Sequence, residues 1–168
     1  MCTILQLHTE GSPLPLDDPA IRPFTINITE FDLIDLKRRL RNVRYVDHLR
    51  GTQFTYGFSS IYLKKVVTYW RDVYNWREAE SELNAYPQFH TQIEGLDVHF
   101  VHVKPLANGT TKPLLLIHSW PGSFYEYYKA IPLLTEVDKD GLAFEVVIPS
   151  IPGFGYSEAP HQKGKFES

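Results

Sequence analysis

The segment with the clearest capacity for chemistry is His118-Ser119-Trp120-Pro121-Gly122-Ser123. It follows Leu114-Leu115-Leu116-Ile117, a short apolar run of the kind a strand buried on both faces presents. It precedes a segment with helical character, Phe124 to Leu134. A turn between a strand's C-terminal end and a following helix lies at the edge where open α/β sheets bind ligands. Backbone N–H groups exposed there can hold an anion, including the oxyanion of a reaction intermediate. Many such turns bind nothing, so by itself this one suggests a site without fixing a reaction.

The second segment is Ser150-Ile151-Pro152-Gly153-Phe154-Gly155-Tyr156-Ser157. It is too rich in Pro and Gly for helix or strand and reads mainly as a shaped loop beside the site. His90, His99 and His102 lie close together in sequence. On a strand, positions three apart face opposite sides, so His99 and His102 do not share a metal. Two Asn-Xaa-Thr sequons, at Asn27 and Asn108, read as chance occurrences without a secretory signal.

The elements that would position these segments follow from periodicity. Thr29 with Asp32 three residues on resembles a capping box, and Leu33, Leu36, Leu40 and Val43 form one helical stripe. The nearby Lys37, Arg38, Arg39 and Arg41 suit a solvated helix end. A second helix is expected from Ser60 to about Tyr74, burying Leu63, Val66, Val67 and Trp70. A third runs from about Arg77 to Tyr86, where Pro87 ends it. Tyr62, Tyr69, Trp70, Tyr74 and Trp76 lack the basic neighbours of a base-stacking platform and are expected in the core. From Phe89 the period changes to alternation, broken at Glu94-Gly95 and resumed to Val103, which reads as a β-hairpin. Pro105 to Thr111 reads as a polar loop. Phe144 to Ile148 is a further buried strand, so strand, turn, helix and strand form a βαβ unit with a parallel, doubly covered sheet.

The expected class is α/β: a helical N-terminal domain followed by the first strands of an incomplete sheet. The expected divisions are an irregular proline-rich arm over 1–20, helices over 21–88 and sheet over 89–168. The last strand, with Val146, Val147 and Ile148, would then be an exposed edge and a cause of low solubility.

Composition narrows the partners. The chain has 168 residues, 43% hydrophobic and 22% charged, which suits a globular fold. Seventeen basic against 20 acidic residues give a formal charge of -3, without the basic excess that nucleic-acid binding needs. The single cysteine, Cys2, forms no intramolecular disulfide or cysteine-based zinc site. No apolar stretch is long enough for a transmembrane helix, and Met1 to Leu16 lacks the pattern of a secretory signal.

Both chemical segments, in this order, resemble motifs of the microsomal-type epoxide hydrolases of the α/β-hydrolase superfamily. His118-Ser119-Trp120-Pro121 is similar to that family's His-Gly-Xaa-Pro, and Ser150 to Ser157 to its Ser-Xaa-Pro-Gly-Xaa-Gly-Xaa-Ser. Ile93 to Phe100, Tyr56-Gly57-Phe58 and Tyr62-Leu63-Lys64-Lys65 resemble the branch's N-terminal domain. The resemblance runs from about Ile21 to Gly164. It implies that the Trp120 N–H is an oxyanion donor, that the Trp120–Pro121 bond is cis, and that His118, Trp120 and Pro121 wall the site. It implies hydrolysis of a small lipophilic epoxide through an aspartyl ester, with no metal or organic cofactor. The family's endoplasmic reticulum location is implied too, with a cytoplasmic one for a chain lacking the anchor. The family's Gly is replaced by Ser119, which implies strain if the backbone there needs a positive φ. No residue of this sequence occupies the family's nucleophile elbow. Its aspartate, acid and histidine are expected beyond Ser168, so the chain alone is expected to be inactive. The alternatives are a non-catalytic binding or regulatory module, or another α/β hydrolase such as a dehalogenase or esterase, which the helical N-terminal domain disfavours.

Overall fold

A computed structural model describes residues 17–47, 49, 51–106 and 110–161. Most of the proline-rich arm, the Asn108 sequon and residues 162–168 lie outside the described residues. The described elements run β1 (Arg22–Phe24), α1 (Glu30–Arg41), α2 (Ser60–Asp72), α3 (Trp76–Leu83), β2 (Gln88–Ile93), β3 (Leu96–Val103), β4 (Thr110–Leu115), α4 (Ile131–Thr135) and β5 (Leu142–Pro149). A short 3-10 helix, Phe124–Tyr127, precedes α4. They fall into two compact units. Residues 26–85 form a helical unit, and the flanking residues on both sides form a sheet unit.

In the helical unit the sequence cues for α1 act as read. Thr29 caps the helix, its hydroxyl accepting from the Asp32 N–H and donating to the Asp32 carboxylate. Leu40 is buried, and Leu33, Leu36 and Val43 are half-buried. Ser59 caps α2 and Asn75 caps α3. Of the stripe expected on α2, Val67 is buried and Leu63 half-buried, but Val66 and Trp70 are exposed. Tyr62, Tyr69 and Tyr74 are exposed as well, contrary to their expected core role. The reason is supply: three helices of 12, 13 and 8 residues bury one stripe each and leave no second layer to cover the other aromatics. Val66, Tyr69, Trp70, Tyr74, Trp76 and Leu36 instead line an open apolar hollow of about 360 Å³. Polar bonds hold the unit's ends. The Asn84 amide accepts from the Ile26 N–H and donates to the Ile26 carbonyl, while Glu80 accepts from the Ile28 N–H at 2.6 Å, the Trp76 indole at 3.1 Å and Arg77 at 2.6 Å.

The sheet has five strands in the order β1-β2-β3-β5-β4. The β2–β3 hairpin turns on Glu94 and Gly95, both at positive φ (51° and 77°), as a two-residue type I′ connection requires. Ile93 pairs with Leu96 and Gln88 with Val101. β1 was not legible in the sequence, because Pro23 reads as a breaker; it is tolerated on an edge strand, opposite Phe89. The sheet is mixed rather than parallel. Only β4 and β5 are parallel, and β3 joins β5 antiparallel.

Three further expectations are corrected. β5 is not an edge: it lies between β3 and β4, and Val146 and Ile148 are fully buried. The edge on this side is β4, and its run is not covered on both faces, since Leu115 and Ile117 are exposed. The helix expected from Phe124 to Leu134 is two pieces. Pro132 sits in the first turn of α4, where its missing N–H costs nothing, and bars one continuous helix through it. The core of this unit is built from Val98, Phe100, Val101, Phe124, Ile131, Ala143, Val146 and Ile148.

Candidate anion-binding turn

The turn begins where β4 ends, beside the buried β5. The Leu116 N–H still pairs with the Val147 carbonyl at 2.9 Å, and the chain then leaves the sheet. The Tyr127 hydroxyl donates to the Ile117 carbonyl at 2.8 Å, tying the exit to the 3-10 helix. His118 is buried, whereas the Trp120 side chain is 80% exposed. The Trp120–Pro121 peptide is cis. The Gly122 N–H closes the turn on the Ser119 carbonyl at 2.6 Å. Among the described residues, positive φ outside glycine occurs only at Gln53 and Glu94, so the strain expected at Ser119 is absent.

The structure brings the two motifs together, although they lie 33 positions apart. The Ile151 N–H donates to His118 Nε2 at 3.1 Å, and the His118 ring meets Phe154 edge-on at 5.4 Å between centroids. An N–H only donates, so Nε2 carries the lone pair. The ring proton then sits on Nδ1, 3.4 Å from the Ser119 carbonyl. His118 is therefore an internal strut of the turn rather than a group facing solvent, whereas Trp120 and Pro121 are exposed.

The loop carrying the second motif is bound to His99, which the sequence offered only as a metal candidate to be set aside. His99 on β3 is fully buried. Its Nδ1 meets Ser150 Oγ at 2.9 Å and its Nε2 meets Gln88 Oε1 at 2.8 Å. Its carbonyl accepts from the Ser150 N–H at 2.8 Å, and its N–H donates to Ser157 Oγ at 2.8 Å. The Ser157 hydroxyl returns to the Ser150 carbonyl at 2.7 Å. Burial pushes the His99 pKa down from 6.5 to about 4, with the nearby His90 adding to the effect. Both nitrogens being engaged fits a neutral ring: Nε2–H donates to Gln88 and Nδ1 accepts from Ser150. Gly155, at φ 54°, lets the loop pass so close that a Cβ there would stand 2.5 Å from Ser150 Oγ. No sequence signal identified Gln88; its role depends on the hairpin register. His102, on the opposite face, pairs with Glu145 at 2.6 Å.

Asp97, Asp138 and His161 have structural partners. Asp97 pairs with Arg22 at 2.6 Å, Asp138 accepts from the Asp140 and Leu142 N–H groups, and His161 meets Glu158 at 2.7 Å. No group of three or more His, Cys, Asp or Glu side chains suited to a metal occurs among the described residues. No helix among them is long and apolar enough to cross a membrane.

A mixed sheet with a helical insertion after its first strand and a supported turn at the end of β4 defines an α/β-hydrolase-type protein with an added N-terminal domain. Residues 21–127 match the epoxide hydrolase N terminus family and residues 112–168 match the alpha/beta hydrolase fold. The chain belongs to the epoxide hydrolase N terminus family. It is 50% identical over 159 residues to epoxide hydrolase 1 of Sus scrofa, covering 90% of this chain and 35% of that protein. It is 49% identical over 150 residues to juvenile hormone epoxide hydrolase 1 of Ctenocephalides felis, covering 88% and 32%. The crystal structure of juvenile hormone epoxide hydrolase from Bombyx mori superposes with a TM-score of 0.82 at 41% identity, covering 87% of this chain and 40% of that one. The structure of Aspergillus niger epoxide hydrolase gives 0.75 at 32% identity, covering 88% and 39%. The chain thus spans about a third of the length of the curated relatives it matches.

Proposed function

We propose that this chain supplies the N-terminal domain and one side of the oxyanion site of a microsomal-type epoxide hydrolase, which converts a small lipophilic epoxide and water into a vicinal diol. The observation that carries this reading is the turn after β4, held from within by the His118–Ile151 bond and presenting its backbone at the sheet's carboxyl edge. No described residue accepts a hydrogen bond from the Trp120 N–H, which leaves that donor for a developing oxyanion. In the chemistry that the motif resemblance implies, an aspartate opens the epoxide to a hydroxyalkyl ester, and a histidine–acid pair directs water at the ester carbonyl. The carbonyl oxygen becomes negative in that second step, and the Trp120 N–H would meet it there. His118 contributes by fixing the turn, Trp120 and Pro121 by forming its rim. The reaction needs no metal or organic cofactor, and the chain engages no nucleic acid.

Among the described residues, the carboxylates of Asp97 and Asp138 are held by an ion pair and a turn and are not set as a nucleophile. The 168-residue chain alone should therefore form no diol from styrene oxide or stilbene oxide. Diol production by the purified chain overturns that part of the proposal. A chimaera carrying residues 21–161 in place of the matching part of the Sus scrofa relative should produce diol. Replacing Pro121 by alanine in it should lower kcat with little change in KM, because the turn acts on the transition state. An inactive but folded chimaera counts against the reading and favours a non-catalytic binding module. A location at the endoplasmic reticulum follows from the same resemblance and is tested by fractionating cells that express the chain.

A further inference from the structure

We propose that His99 is a positioning residue for the anion-binding turn: it sets the turn's geometry through the 150–157 loop without approaching the site itself. The proposal rests on the functional reading above for its purpose, and on geometry alone for its mechanism.

Four hydrogen bonds converge on His99 from two residues of the loop or pass through it to β2. Ser150 is bound twice, by its N–H to the His99 carbonyl and by its hydroxyl to Nδ1. Ser157 is bound through the His99 N–H, and the Gln88 side chain fixes Nε2 from the neighbouring strand. Each of His99, Ser150 and Gln88 is almost wholly buried, at 0%, 0% and 3% exposure. A buried group that loses its partner there gains no water in exchange, so the set holds or fails together. Ile151, the residue after Ser150, donates the one bond that anchors His118 Nε2. The path from β2 to the turn is therefore Gln88, His99, Ser150, Ile151, His118. It crosses no solvent-exposed side chain before Ser119. Phe124 closes the same pocket, edge-on to His99 at 4.9 Å, and opens the 3-10 helix that follows the turn. The turn is thus gripped from both of its ends by elements that touch His99. A purely apolar side chain of similar volume would fill the space but remove the ring's bonds to Ser150 Oγ and Gln88 Oε1. The polar ring is what specifies one loop position.

The test uses the 168-residue chain and two variants. His99→Leu removes both ring bonds. His99→Asn keeps an acceptor close to the position of Nδ1. The readouts are amide hydrogen exchange and the ¹⁵N shift of His118 Nε2, which is sensitive to an accepted hydrogen bond. His99→Leu should speed exchange of the Ile151 and Ser157 amides by tenfold or more and move the His118 Nε2 signal, while hairpin amides such as Leu96 change less. His99→Asn should recover most of the difference. If His99→Leu does not fold, Ser150→Ala removes one bond of the same path and should produce the same two changes in weaker form. Unchanged Ile151 exchange and an unmoved His118 signal in a folded variant overturn the proposal. So does a uniform increase at all sheet amides, which marks a merely stabilising residue. None of these readouts depends on epoxide turnover, so a failed chimaera and a failed positioning role are separate results.

Discussion

Lowering the pH should destabilise the sheet unit through His99 within a defined window. Its ring has pKa 6.5 in an unfolded chain and about 4 in the fold, because burial disfavours the charged form. Between these values the unfolded chain binds a proton that the native state refuses, so stability falls as pH falls. The contribution is intact above pH 6.5 and is lost progressively toward pH 4. Linkage across this shift makes the fold about 2 kcal/mol less stable at pH 5 than at pH 7, through this one residue. For a chain of this size that corresponds to roughly 4–8 °C in melting temperature. The comparison that isolates His99 is with His99→Gln, which cannot titrate but retains hydrogen-bonding groups. The substitution leaves every other histidine in place. Exchange of the slowest β3 and β5 amides, such as Val101 and Ile148, reports opening of this unit apart from the helical one. His99→Gln should be less stable than the parent at pH 7, and the gap should shrink by about 2 kcal/mol at pH 5. A constant gap between the two pH values, or a ring that titrates near 6.5 by NMR, refutes the reasoning.

Other perturbations have distinct signatures. Gly155→Ala places a methyl 2.5 Å from Ser150 Oγ at a φ of 54°; backbone strain of about 1–2 kcal/mol and overpacking of about 1–3 kcal/mol should appear in urea unfolding of the sheet unit. Acid should also destabilise the helical unit through Glu80. The Ile28 N–H above all, then Arg77 and the Trp76 indole, hold its carboxyl below the usual glutamate range. That stability is present above pH 4.5 and is lost as pH falls through the lowered value, so Glu80→Gln should flatten the acid limb of the helical circular dichroism signal. Leu115→Lys on the exposed edge β4 should change stability by less than about 0.5 kcal/mol. It should also reduce light scattering on heating, because a charge on an edge strand opposes strand-to-strand association; equal scattering would show that another surface drives aggregation.

Much of the local structure was written in short-range chemistry. Thr29 and Asp32 fixed the start of α1, Glu94-Gly95 fixed the hairpin, and the pattern of His118 to Ser123 and Ser150 to Ser157 pointed to the site and its family. These are decided by residues within a few positions of one another, through caps, φ preferences and alternation. The tertiary structure decided what depends on neighbours far away in the chain. It inserted β5 between β3 and β4, which buried Val146 and Ile148 and left Leu115 and Ile117 at the edge. It left Trp70 and Tyr69 exposed, because α2's second face has no layer over it within the described helical unit. It also joined Gln88, His99, Ser150 and His118 into one buried path. Periodicity tells which face a residue occupies; only strand order and register tell which partner waits there. A buried polar side chain is stable only if that partner exists, which is why the residue that organises the loop was the one the sequence concealed.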